Sequence, residues 1–182
     1  MSLMSIIGCT EFEKEIVRLL AEDGMIEHLL IMGDSRSEDL ISDLEQKGLK
    51  PKVLFPETIP VGLKKSKDFN VLVTIQDANR YRSPQHMKKE TYERIKFYGP
   101  VSDGILMFYG SCEGIFDDAL LDFSNSNFFL ELLSSENGKY MENLNKCLEG
   151  PQMRSGVSTE LEDKYRNCYN RLKDLILSPG AN

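Results

Sequence analysis

The chain has 182 residues, of which 41% are hydrophobic and 28% charged, with a formal net charge of -7. Such values fit one globular domain with its own core, exclude wholesale disorder, and argue against general nucleic-acid binding, which needs a positive surface. No apolar run approaches the roughly 18 to 20 residues of a membrane helix and no secretory leader is legible. The four cysteines, Cys9, Cys112, Cys147 and Cys168, lack CxxC spacing and suit free thiols in a reducing compartment, so a cytoplasmic protein is expected.

The start of the chain, ahead of Met4, reads as an added leader and is left out of the expected fold. Ser5 to Cys9 then form a short apolar strand that turns at once into a helix, with Thr10 as its cap, Glu13 completing a capping box, and Phe12, Ile16, Leu19 and Leu20 on one face. A second strand lies at 28–33, and a second helix carries Leu40, Ile41 and Leu44 inward before ending at Gly48. The prolines around 51–57 confine any strand there to an edge. Residues 70–75 make a better strand; after a polar stretch rich in Arg, Tyr and Asn, Pro84 opens a helix that stops at Gly99-Pro100. Residues 104–110 are apolar without alternation, the mark of a strand covered on both faces. Beyond it a short helix is expected around Phe116–Phe123, a strand or buried helix around 127–135, and a helix over 136–150.

Alternating strands and helices predict an α/β, three-layer domain with a mostly parallel, Rossmann-like sheet over 4–150. Residues 151–158 form a Gly- and Pro-containing linker to a C-terminal amphipathic helix over 159–177. That helix carries Leu161, Tyr165, Cys168, Leu172 and Leu175 at spacings of 4, 3, 4 and 3. The stripe must be buried against the domain or a partner, and its spacing would suit a homodimer.

In such sheets ligands bind at the carboxyl ends of the strands. Three turns fall there, and they supply the candidate ligand-binding residues: Cys9 and Thr10; Asp34 and Ser35; and Gly110, Ser111, Cys112 and Gly114. The last turn has the shape of a nucleophile elbow with Cys112 in the nucleophile position, so Cys112 is also the candidate catalytic residue. A base is missing from the pattern, however: both histidines, His28 and His86, precede Cys112, whereas the hydrolases that share the turn place His after it. A thiolate at a helix N-terminus, a metal ligand and a small residue in a tight turn are the other readings. No ligand spacing marks a metal site, and neither GxGxxG nor a Walker sequence is present. Residues 64–96 hold nine Lys or Arg against four acids, and 101–150 nine acids against two bases. The basic segment could meet an anionic ligand or an acidic partner, or be a solvated face.

The stretches around "IIGCTEFEKEIVRLL", "ILMFYGSCEG" and "FLELLSSENGKY" resemble an uncharacterised domain-of-unknown-function family of bacteria and methanogenic archaea, across about residues 4–148. Its hallmarks are a strand ending in Cys, a Tyr-Gly-Leu-Cys-Gly-Asn-like turn, and a His-Asp-Cys segment followed by Leu-Leu-Gly-Ser and a Tyr. By that resemblance Cys9 matches the first Cys, Cys112 the second, Ser134 and Ser135 the Gly-Ser, and Tyr140 the Tyr. Ser126-Asn127-Phe128 stands where the family has His-Asp-Cys, and Glu113 follows the second Cys in place of Gly. Members are often associated with corrinoid-dependent methyl transfer, which implies an accessory role in methyl-group or corrinoid metabolism. The expected function is therefore binding of a small molecule or protein partner near Cys9, Asp34 and Cys112, without nucleic acid or membrane. The alternative is a thiol-dependent hydrolase or transferase with Cys112 as nucleophile.

Overall fold

Strands that are apolar on both faces must be covered on both faces, and here they are. The computed structural model describes residues 2–33, 37–56, 69–77, 80–81, 83–109, 115–116, 118–132 and 159–178. Among these, β1 (Ser2–Cys9), β2 (Ile26–Met32), β3 (Lys52–Leu54), β4 (Phe69–Gln76), β5 (Gly104–Phe108) and β6 (Phe129–Leu132) make one sheet in the order β3-β2-β4-β1-β5-β6. Every pairing is parallel. The helices are α1 (Glu13–Glu22), α2 (Ser37–Gln46), the short α4 (Ala119–Asp122) and α5 (Thr159–Leu177), with α3 (Pro84–Tyr98) between α2 and α4.

The strand order dictates the layers. From β1 the chain moves one way across the sheet to β2 and β3, and from β4 it moves the other way to β5 and β6; right-handed crossovers therefore send the two sets of helices to opposite faces. One core holds Ile16, Leu20, Leu40 and Leu44 of α1 and α2 against Met4, Ile6, Val71, Val73 and Leu106. The other holds Met87, Ile95 and Tyr98 of α3 against Leu3, Ile7, Leu72, Ile105 and Met107. This is the expected three-layer α/β fold.

Some local details differ from the sequence reading. Leu3 is fully buried within β1, so the strand takes in residues that read as a leader. The chain leaves β1 through a 3-10 turn, Thr10–Phe12, and neither that turn nor α1 has a side-chain cap; the capping box on Thr10 does not form. Instead Phe12 packs edge-on against Phe108, with ring centroids 6.0 Å apart. The segment expected as strand or buried helix around 127–135 forms strand at Phe129–Leu132, whereas the helix expected over 136–150 and the linker over 151–158 lie outside the described residues.

The C-terminal helix packs in cis. Tyr169, Leu172 and Ile176 are buried in the α1 and α2 core, with Cys168 and Leu177 packed at its border. The buried face is thus turned from the expected stripe: Leu172 belongs to it, Tyr169 and Ile176 replace Cys168 and Leu175 at its centre, and the side chains of Leu161 and Tyr165 lie outside the description. The helix thus packs on its own domain through a neighbouring face that shares Leu172 with the stripe that suggested a homodimer. Full burial of such side chains contributes about 1.5 to 3 kcal/mol each. Gly104 lets the helix come this close, since a Cβ there would meet Leu172 Cδ1 at 2.7 Å and Ile176 Cδ1 at 2.9 Å.

A polar latch completes the docking. Asp23, at the end of α1, accepts from Tyr169 Oη at 2.7 Å, Lys173 Nζ at 2.9 Å and Met25 N at 2.9 Å. Burial raises the Asp23 carboxyl pKa, but those donors and the Lys173 charge outweigh it and hold the group below its usual range. Because the folded value lies below the unfolded one, the latch stabilises above the unfolded pKa of about 3.9 and is lost as pH falls through the folded value.

Two outcomes follow. Lys173→Met is expected to cost about 2 kcal/mol at pH 7 in denaturant titration, with the deficit against wild type shrinking below about pH 4; an equal deficit across both ranges would refute the latch. Gly104→Val is expected to cost about 1 to 3 kcal/mol by overpacking against Leu172 and Ile176, read as a lowered Tm, whereas an unchanged Tm would mean that α5 does not seat on β5.

Candidate functional site

A strand alternates its side chains, so the buried β4 feeds both cores in turn: Phe69, Val71, Val73 and Ile75 into one, and Asn70, Leu72, Thr74 and Gln76 toward α3. The α3-facing series becomes polar toward the carboxyl end of the strand, and α3 answers it. Arg94 Nη1 donates to Thr74 Oγ1 at 2.9 Å. Thr91 Oγ1 donates to Gln76 Oε1 at 2.9 Å, and the Tyr109 hydroxyl, just past β5, donates to the same oxygen. Thr91 and Tyr109 also lie within hydrogen-bond reach of each other, at 3.1 Å. Tyr109 is wholly buried, and that burial pushes its phenol well above the usual value.

Above this layer is a cavity of about 140 Å³, lined by Ile75, Gln76 and Asp77 at the end of β4, Arg80 and Tyr81 in the connection, and Glu90 and Arg94 on α3. An apolar cavity of about this size takes up a benzene-sized molecule; this one is mostly polar. Burial first, and the neighbouring Glu90 charge second, push the Tyr81 phenol up to about 12. Glu90 also meets His86 Nε2 at 3.2 Å, and the His86 ring stands edge-on to Tyr81 at 5.6 Å. His86 is positioned by the helix start itself, where Ser83 caps α3 by accepting from its backbone N–H at 3.2 Å.

One atom in this network is unmatched. Gln76 is 1% exposed, and while its Oε1 receives two hydroxyls its Nε2 is buried without a hydrogen-bond partner. A buried amide left in that state costs about 1 to 3 kcal/mol. The larger groove between α1 and α2, about 350 Å³ and lined by Lys14, Glu15, Val17, Arg18, Asp43, Gln46 and Lys47, is open to solvent and rimmed by exposed charged side chains.

Of the candidate residues read from the sequence, Cys9 and Thr10 are described. Cys9 ends β1 opposite Gln76 in the register, 1% exposed, in the same core as Tyr81 and Tyr109; Thr10 opens the 3-10 turn, half-buried. Asp34, Ser35, Gly110, Ser111, Cys112 and Gly114 lie outside the described residues. The strands leading to the Cys9 and Cys112 turns are adjacent, pairing as far as Gly8 with Phe108. The strand leading to Asp34 is not their neighbour, because β4 stands between β2 and β1, so the three turns do not rise from three adjoining strands. Sequence reasoning missed Gln76, Tyr81, Glu90 and Arg94, and set His86 apart from any ligand turn; the overlooked signal was an amide closing an apolar strand just before an Arg- and Tyr-rich connection. Among the described residues no three His, Cys, Asp or Glu gather to hold a metal ion, and no helix is long and apolar enough to cross a membrane. Two lysines of the basic segment form ion pairs, Lys88 with Asp118 at 3.2 Å and Lys89 with Glu93 at 4.0 Å.

Comparison with protein-family models, curated proteins and solved structures returned no significant match to this chain, so the site has to be read from its own geometry.

Burial decides how Cys9 behaves. In the native protein it is expected to resist iodoacetamide and to label fully only in denaturant, as followed by peptide mapping. Native-state labelling at the rate of a free thiol would mean that the end of β1 is open to solvent.

Proposed function

We propose that this protein binds a small polar molecule in the cavity at the carboxyl end of β4, between the strand and α3. The observation that carries the reading is Gln76: a side chain buried to 1% exposure, lining a cavity, with one end of its amide bonded twice and the other unbonded. An amide kept there solely for stability would be matched at both ends or replaced by an aliphatic residue, since an unpaired buried polar group is a net cost. The position agrees with the general rule that parallel α/β sheets bind ligands beyond the carboxyl ends of their strands.

The ligand class is small. A corrinoid macrocycle does not fit about 140 Å³, so any part in methyl-group metabolism would run through a small substrate or product at this cavity. Cys9 lends no support to a thiol-dependent reaction, being buried; that alternative rests on Cys112 and would announce itself as rapid alkylation of one thiol with a depressed pKa.

Screening a library of small polar metabolites by thermal shift tests the reading. A ligand present at 100 times its Kd stabilises by about 2.7 kcal/mol, and the shift should vanish in Gln76→Leu and in Arg94→Met while both variants stay folded by circular dichroism. Hits whose shifts survive both substitutions would place binding elsewhere.

A further inference from the structure

Resting on that reading of the cavity, we infer that the ligand presents a single carboxylate to Arg94 and Gln76. Arg94 is half-buried on α3 and lines the cavity. Its hydrogen bond to Thr74 ties one Nη to a buried residue of β4, so the guanidinium is held in place with most of its five N–H donors unspent. Glu90, one helical turn away, bonds Tyr81 and His86, and among the described residues no carboxylate forms an ion pair with Arg94. A fixed, partly desolvated cation of this kind lacks its counter-charge.

The second donor lies beside the first. Gln76 follows Thr74 by two residues, so both point to the same face of β4. With Gln76 Oε1 held by Thr91 and Tyr109, what remains is the amide N–H pair on Nε2. Both residues line the cavity, and a planar guanidinium fork beside an unbonded amide N–H pair calls for a group that only accepts. A carboxylate meets this with two oxygens and about four lone-pair sites.

The rest of the lining selects among anions. Asp77 and Glu90 border the same cavity, with Glu90 turned to Tyr81 and His86 rather than to Arg94. A phosphate monoester at about -1.5 to -2 would be repelled by those acids, whereas a monocarboxylate matches the single unpaired guanidinium. A neutral amide would satisfy the hydrogen bonds and leave the Arg94 charge unmatched.

The test is NMR titration of the isotopically labelled full chain with sodium propionate, acetamide and inorganic phosphate at constant ionic strength, following the Gln76 side-chain NH2 and Arg94 Nε–H resonances. Propionate should move both saturably. Arg94→Gln should weaken its binding about ten- to a hundredfold, the range for a lost charge-assisted contact. Gln76→Glu, which keeps an acceptor for Thr91 and Tyr109 but supplies in cis the carboxylate that Arg94 lacks, should abolish propionate binding without lowering Tm. Acetamide binding the same two residues as tightly as propionate would overturn the carboxylate inference and leave the cavity reading standing; so would tighter binding of phosphate. If neither these probes nor any screened metabolite moves either resonance, both fall together.

Discussion

The structure depends on the insertion of β4 between β1 and β2. All eight of its residues are buried, and it pairs with β1 along its whole length and with β2 for most of it. A strand in that position has no solvent face, so each polar side chain it carries must find partners inside the protein. Thr74 and Gln76 sit at its carboxyl end on the α3 side, and they oblige the facing helix to be polar at Thr91 and Arg94 while it stays apolar at Met87, Ile95 and Tyr98. The cavity, its fixed guanidinium and its unmatched amide all follow from a central strand that ends in Thr-Ile-Gln rather than in three aliphatic residues.

The opposite face is closed differently. Two consecutive helices, α1 and α2, cover the β2 side, and the C-terminal helix covers β1 and β5 by seating Leu172 and Ile176 over Gly104. Apolar contact sets the position of that helix. The Asp23 latch sets its orientation, because Tyr169 and Lys173 lie one turn apart and reach the same carboxylate. The two faces therefore divide the labour: one is apolar and latched, and the other carries the polar layer from which a binding site can be built.

Much of this was legible in the sequence. The unbroken apolar run over 104–110 marked a strand covered on both faces, found at Gly104–Phe108, and Pro84 and Gly99 bounded α3 to within a residue because both act through local backbone geometry. The phase of α5 was misjudged by about one position, since Tyr169 counts as apolar only once Asp23 is there to take its hydroxyl, a contact across 146 residues. The capping box at Thr10 was locally sound but lost to the packing of Phe12 on Phe108. The site was the least legible part. Glycine turns draw attention to themselves, whereas the importance of Gln76 arises from strand order, and no local pattern reveals that β4 lies inside β1 and β2.

The central claim is that the Gln76 amide is unmatched in the free protein because a ligand matches it. A high-resolution crystal structure of protein purified gently from its native host tests this most directly. The account predicts density for a small non-water molecule within hydrogen-bond distance of Gln76 Nε2 and of the Arg94 guanidinium. Ordered water alone satisfying Gln76, in a cavity that stays the same after soaking with propionate, would contradict it and make the amide a hydrated structural residue.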